Sequence, residues 1–201
     1  MKIIGLSGAL ASGKNFAAEF FAQKGAAIFD ADKQVHEALT SDKALIVKIA
    51  EIFPQSFVNK KIERKILGKI VFADVKKLQI LEDIIHPIIR KKYLEFIAKS
   101  RQEKKKIVVL NIPLLLEKQG YECDKVIALV VQPKVQKNRY FARHKDQPKK
   151  ELEEKFSKIT RLQFTNQQRK EKADFVVNTS FSKARTTMQL QKIFNDYVFG
   201  I

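Results

Sequence analysis

A single cysteine, Cys123, stands in 201 residues, which excludes an internal disulfide and a cysteine-based metal site. Three histidines, His36, His86 and His144, lack the spacing of metal ligands. Seven glycines and five prolines are too few to form a dividing linker, so one domain over residues 1–201 is expected. No apolar run approaches the roughly 18 residues a membrane span needs. Only two apolar residues separate Lys2 from Gly5, too short for a signal core. No membrane partner is expected, and a reducing cytoplasm is the plain reading. Acidic residues are also scarce. The chain has 22 of them against 39 lysines and arginines, leaving +17 and favouring polyanionic partners. Residues 133–172 concentrate the excess, with thirteen basic side chains against five acidic ones.

What is present alternates. Continuous apolar runs at 2–7, 26–32, 106–112, 125–131 and 174–178 read as strands buried on both faces. Helical spacing separates them. Phe16, Phe20 and Phe21 share one face before Gly25, and a C-terminal helix offers Met188, Ile193, Phe194 and Tyr197 to the sheet. The expected fold is therefore α/β, a five-stranded parallel sheet flanked by helices. About 75 residues between the second and third strands carry helical patterns near 43–53, 63–72 and 75–100, and no strand.

The first strand runs into Gly8-Ala9-Leu10-Ala11-Ser12-Gly13-Lys14-Asn15 and then a helix. Glycines at 8 and 13 let the backbone wrap with its N–H groups inward, and the helix N-terminus adds positive dipole. Lys14 stands where an ammonium reaches the terminal phosphates of a nucleotide. Asn15 occupies the place of the usual Ser or Thr, whose hydroxyl would face Mg²⁺. It is an amide oxygen donor, a weak candidate metal residue, and a sound helix cap. Asp30 and Asp32 flank Ala31 at a strand end, where a period of two puts both carboxylates on one side. One of them can orient an acceptor hydroxyl and take its proton, or cap the next helix.

Taken in order, the phosphate loop, "DAD", "IERKILGKIVF", "LEDIIHPIIR", "IPLLLE" and "KADFVVN" resemble dephospho-coenzyme A kinase over essentially the whole chain. The resemblance implies a P-loop kinase fold with an acceptor-binding helical region at about 33–100 and a lid at about 139–170. It implies transfer of the γ-phosphoryl of ATP to the ribose 3′-hydroxyl of dephospho-CoA, with Mg²⁺ as cofactor. Nucleotide contacts fall to Gly8, Ala11, Ser12, Gly13, Lys14, Asn15 and Phe16. Lys14, Asp32 and Arg139 are the implied catalytic residues, and Asp32, His86 and Arg90 the acceptor-binding ones.

Pro87 can open a helix, placing His86 at its start with Arg90 nearly one turn on. Glu63 and Arg64 read as an ion pair. Arg139 and Arg143 lie four apart and share a helix face leading into the lid, and Gln136 and Gln163 match family positions. Asn111 stands at a strand end where such proteins often hold an acidic, metal-associated residue, and Glu117 follows it. ATP and dephospho-CoA are the expected partners, with no specific nucleic acid and a monomer favoured. Two alternatives remain open: another small-molecule P-loop kinase, and a nucleotide-binding protein weakened by Asn15.

Overall fold

The computed structural model describes residues 1–117 and 120–200, with Phe199 described by its backbone alone. Strand β1 (Lys2–Gly8) leads through a loop into α1 (Lys14–Gln23), and β2 (Ala27–Asp30) into α2 (Ala31–Ser41) and α3 (Lys43–Ile52). A 3₁₀ turn at Pro54–Ser56 precedes the two-residue strands β3 (Phe57–Val58) and β4 (Lys61–Ile62), then α4 (Arg64–Ala73) and α5 (Val75–Gln102). Next come β5 (Ile107–Asn111), β6 (Lys125–Val130), α6 (Pro133–Arg143), α7 (Lys149–Arg161) and α8 (Asn166–Lys172). The chain closes with β7 (Phe175–Asn178) and α9 (Lys183–Ile193), which passes into a π-helical stretch, Phe194–Phe199. Contacts group these elements into two units, Met1–Phe29 with Lys99 onward, and Asp30–Ala98.

In the first unit the strands line up as β2-β5-β1-β6-β7. β1 is parallel to β5 on one side, with Ile4 beside Val109, and to β6 on the other, with Leu6 beside Ile127. β6 is in turn parallel to β7. All five residues of β5 are buried, as a strand covered on both faces requires. Helix α1 buries Ala17, Phe20 and Phe21 in a cluster with Ile4, Leu6, Val109, Ile127, Leu129 and Val177. Phe194 joins from the C-terminal segment, its ring 6.3 Å from Phe20 and 6.1 Å from Phe21. Because β1 sits between β5 and β6, the chain leaves it first to one side of the sheet and later to the other. Ligands of open α/β sheets bind at the carboxyl end of such a strand, and here that end is Gly8.

The five expected strands are present. The strand expected at 26–32 stops at Asp30, because Ala31 starts a helix capped by the Asp30 side chain, which accepts from Lys33 N–H at 3.1 Å. A short antiparallel pair, Phe57 with Ile62, interrupts the expected all-helical stretch. Two residues per strand are too few to show an alternation. Pro87 lies inside α5 rather than at a helix start. Met188 is 72% exposed and does not pack on the sheet, whereas Ile193 and Phe194 are buried.

Gly5 shows how tightly β1 is enclosed. A Cβ there would stand 2.5 Å from Leu115 Cδ2 and 2.8 Å from Cys123 Sγ. Burial, and then the nearby carboxylates of Asp124 and Asp174, push the Cys123 thiol up from 9.0 to about 12. The folded state thus holds the thiol proton where the unfolded state has released it. This contribution to stability is complete below pH 9.0 and is lost as pH rises towards about 12. Chemical denaturation at a series of pH values should show Cys123→Ala losing less stability than the unsubstituted chain across that window. Equal slopes would contradict the assignment.

Candidate active site

The loop after β1 is held in an unusual backbone shape. Gly13, the cap of α1, has φ 94°, and Ala11 has φ 57°. A non-glycine residue in that region costs about 1–2 kcal/mol, so the loop needs support from outside. Gly8 is required for space. A Cβ on it would lie 2.3 Å from Ser12 Oγ, because the loop folds back over its own start. Ser12 N–H turns inward to Ala9 C=O at 3.0 Å, and the first intrahelical bond is Ala17 N–H to Gly13 C=O. Helix geometry aims the first N–H groups of α1, at Lys14, Asn15 and Phe16, along the positive end of the helix dipole. Lys14 Nζ donates to Gly8 C=O at 2.7 Å, which folds the ammonium across the loop mouth. These donors with a lysine among them can hold a chain of phosphates.

The outer side of the loop is gripped by side chains from α6 onward. Gln136 Nε2 donates to Leu10 C=O at 3.0 Å, and Leu10 N–H donates to Gln163 Oε1 at 2.9 Å. Thr179 Oγ1 donates to Ser12 C=O at 2.7 Å. Arg139 Nη2 donates to Thr179 C=O at 2.6 Å, which places this guanidinium one residue away from the loop. Burial, with the Arg143 charge adding to it, lowers the Arg139 pKa from its ordinary value. Arg143 itself is exposed.

Two amides meet at the loop's end. Asn111 Nδ2, on β5, donates to Asn15 Oδ1 at 3.1 Å. Both positions raised at the sequence level for metal contact are therefore neutral, and they are paired with one another. Glu117 is a structural residue. Its Oε1 accepts from Phe164 N–H at 2.8 Å and from Arg169 Nη2 at 2.5 Å, and both side chains of this ion pair are buried. Arg169 also donates to Phe164 C=O. Arg169 and Thr179 were missed in the sequence. Arg169 was one basic residue among thirteen in its window.

The remaining residues fall in the unit Asp30–Ala98. Asp30 and Asp32 do not share a strand face, since Asp32 is exposed in the first turn of α2 and Asp30 caps that helix. His86 and Arg90 are exposed on α5, four residues apart on one helix face. Arg64 Nη1 bonds His36 Nδ1 at 3.0 Å, where the sequence pointed to Glu63.

A strand, an inward-curled loop, a lysine and a helix N-terminus at the switch point of this sheet define a P-loop fold built to hold nucleotide phosphates. Shikimate kinase from Bacteroides thetaiotaomicron shares the fold, at TM-score 0.55 and 15% identity over 96% of this chain and 97% of that one. The dephospho-CoA kinase family model matches residues 2–184, and the chain belongs to that family. A dephospho-CoA kinase of Bartonella quintana is 42% identical over 197 residues, 98% of each chain. The structure of a dephospho-CoA kinase from Campylobacter jejuni aligns at TM-score 0.69 and 28% identity, covering 100% of this chain and 99% of that one.

Removing Glu117 would leave Arg169 charged and buried without its partner. Glu117→Ala should lower stability by about 3–5 kcal/mol in urea denaturation. Replacing both residues by apolar ones of similar volume should recover much of that loss, and a double variant no better than the single one would refute the pairing.

Proposed function

We propose that this chain transfers the γ-phosphoryl group of ATP to the ribose 3′-hydroxyl of dephospho-CoA, giving coenzyme A and ADP, the last step of coenzyme A synthesis. The observation that carries the reading is the phosphate loop itself, curled beside Lys14 on a chain of the dephospho-CoA kinase family. Backbone donors at residues 11–16 hold the nucleotide's phosphates, and Lys14 swings from Gly8 C=O to their outer oxygens. Arg139 exchanges Thr179 for charge that develops on the transferring group. Such arginines contribute about 10³–10⁵ in rate. Asp32 orients the acceptor hydroxyl and accepts its proton. Asp30 caps the helix, and Asp32 stands exposed in its first turn. His86 and Arg90 offer a donor and a guanidinium fork to the acceptor's phosphates and adenine. In this reading residues 33–100 bind the acceptor and 139–170 form the lid.

ATP-dependent kinases of this family generally work with a divalent metal, and Mg²⁺ is the ion we assign. The residues present fit an ion that arrives on the nucleotide and keeps its own waters. Among the described residues no cluster of three His, Cys, Asp or Glu side chains occurs that could hold a metal, and the loop's end offers the Asn15 amide oxygen backed by Asn111. Asn15 is the residue that would face it. Bound there, the metal would neutralise charge on the phosphate oxygens. No helix among the described residues is long and apolar enough to cross a membrane. We assign a cytoplasmic site of action, where ATP and the acceptor are both available.

Purified protein given ATP, Mg²⁺ and dephospho-CoA should yield coenzyme A and ADP. Asp32→Asn should lower turnover by about 10²–10⁴-fold while ADP affinity, measured by calorimetry, stays unchanged. Full activity in that variant would remove Asp32 from catalysis. Asn111→Asp alone sets a carboxylate against Asn15 Oδ1, whereas Asn15→Ser with Asn111→Asp restores a hydroxyl-to-carboxylate bond. The double variant should bind MgADP at lower magnesium than the parent, and the single Asn111→Asp should fall short of the double. Identical magnesium titrations for all three would show that neither amide meets the metal.

A further inference from the structure

Leu10 is held at both of its backbone polar groups by two glutamines that face it with opposite ends. Gln136, on α6 and 9% exposed, gives its NH₂ to the carbonyl. Gln163, just beyond α7, gives its oxygen to the N–H. These two residues bracket the rest of α6, the connection after it and α7, so both ends of this excursion close on one residue of the phosphate loop. Gln163 is itself fixed by its neighbour. Phe164 has its N–H bound by Glu117 and its C=O by Arg169, the buried ion pair. Ala11, the next residue after Leu10, is the one non-glycine residue of the loop with positive φ.

Leu10 N–H and Leu10 C=O belong to the two successive peptide planes on either side of its Cα, and the second of these adjoins Ala11, so turning either plane re-aims the donors that follow. The geometry points to Gln136 and Gln163 as positioning residues that lock the two peptide planes flanking Leu10 and so set the shape of the nucleotide cradle. Neither touches the reacting atoms. This inference rests on the phosphate-loop reading and assigns to it a support that links the excursion over residues 137–162 to the phosphate grip. One consequence concerns polarity. Position 136 must donate and position 163 must accept. A side chain that merely fills space has no such requirement, and a side chain that acts through bulk charge would prefer a cation at both sites, since the ligand is anionic.

The test is a set of four variants: Gln136→Lys, Gln136→Glu, Gln163→Glu and Gln163→Lys. Calorimetric ADP affinity and KM for ATP are measured beside KM for dephospho-CoA, with thermal melting to verify folding. A lost bond to the loop should weaken nucleotide binding roughly tenfold and leave the acceptor KM near the parent value. The expected order crosses over. Lysine outperforms glutamate at 136, and glutamate outperforms lysine at 163 despite its repulsion of phosphate. Lysine superior at both positions, or equal losses irrespective of polarity, would overturn the inference. A parent protein inactive on dephospho-CoA that still shows the crossover in ADP affinity would refute the acceptor assignment alone.

Discussion

A loop that turns its amides towards a ligand cannot satisfy itself, so its shape must be imposed from the other side. That constraint organises the first unit of this molecule. Gly8 is there because Ser12 Oγ occupies the space of a Cβ, and Gly13 because the cap of α1 needs φ 94°. The rest of the hold comes from far along the chain. Gln136, Gln163 and Thr179 contribute one bond each to loop carbonyls or amides, and each follows the loop by more than a hundred residues. Individually such bonds contribute about 0.5–1.5 kcal/mol, which together is enough to offset the strain at Ala11.

The same logic explains the buried ion pair. Glu117 and Arg169 sit under the segment that delivers Gln163, and they engage both backbone polar groups of Phe164. Burying two charges is a poor way to gain stability, because desolvation offsets most of the attraction. It is a good way to fix one backbone position, since both charged groups are directional and lose heavily when displaced. Arg139 repeats the theme on a smaller scale, parked on Thr179, the residue that also holds Ser12 C=O.

Much of this was legible beforehand. The five apolar runs became the five strands because continuous burial on both faces leaves an unmistakable pattern. The phosphate loop was legible from Gly8, Gly13 and Lys14 because backbone conformation and charge at fixed spacing restrict residue choice locally. The failures share a cause. Asp30 and Asp32 were set on one strand face because the period changes from two to 3.6 at Ala31, and a seven-residue run does not reveal where. The β3–β4 pair is too short for any period. Met188 follows helical spacing yet is exposed, since spacing identifies a face and not what lies against it.

The order of residues alone determined the alternating α/β plan, the position of the phosphate loop and the membership of the kinase family, since all three are written in contiguous segments. Only the tertiary structure decided that Asn15 and Asn111 are partners, that Arg169 is a buried structural charge rather than one more surface cation, and that two glutamines close on the backbone of Leu10. Each of those facts joins atoms from segments dozens of residues apart. A hydrogen bond or ion pair across such a distance leaves no spacing to read, because its geometry is set by how strands and helices pack and not by the chain between them.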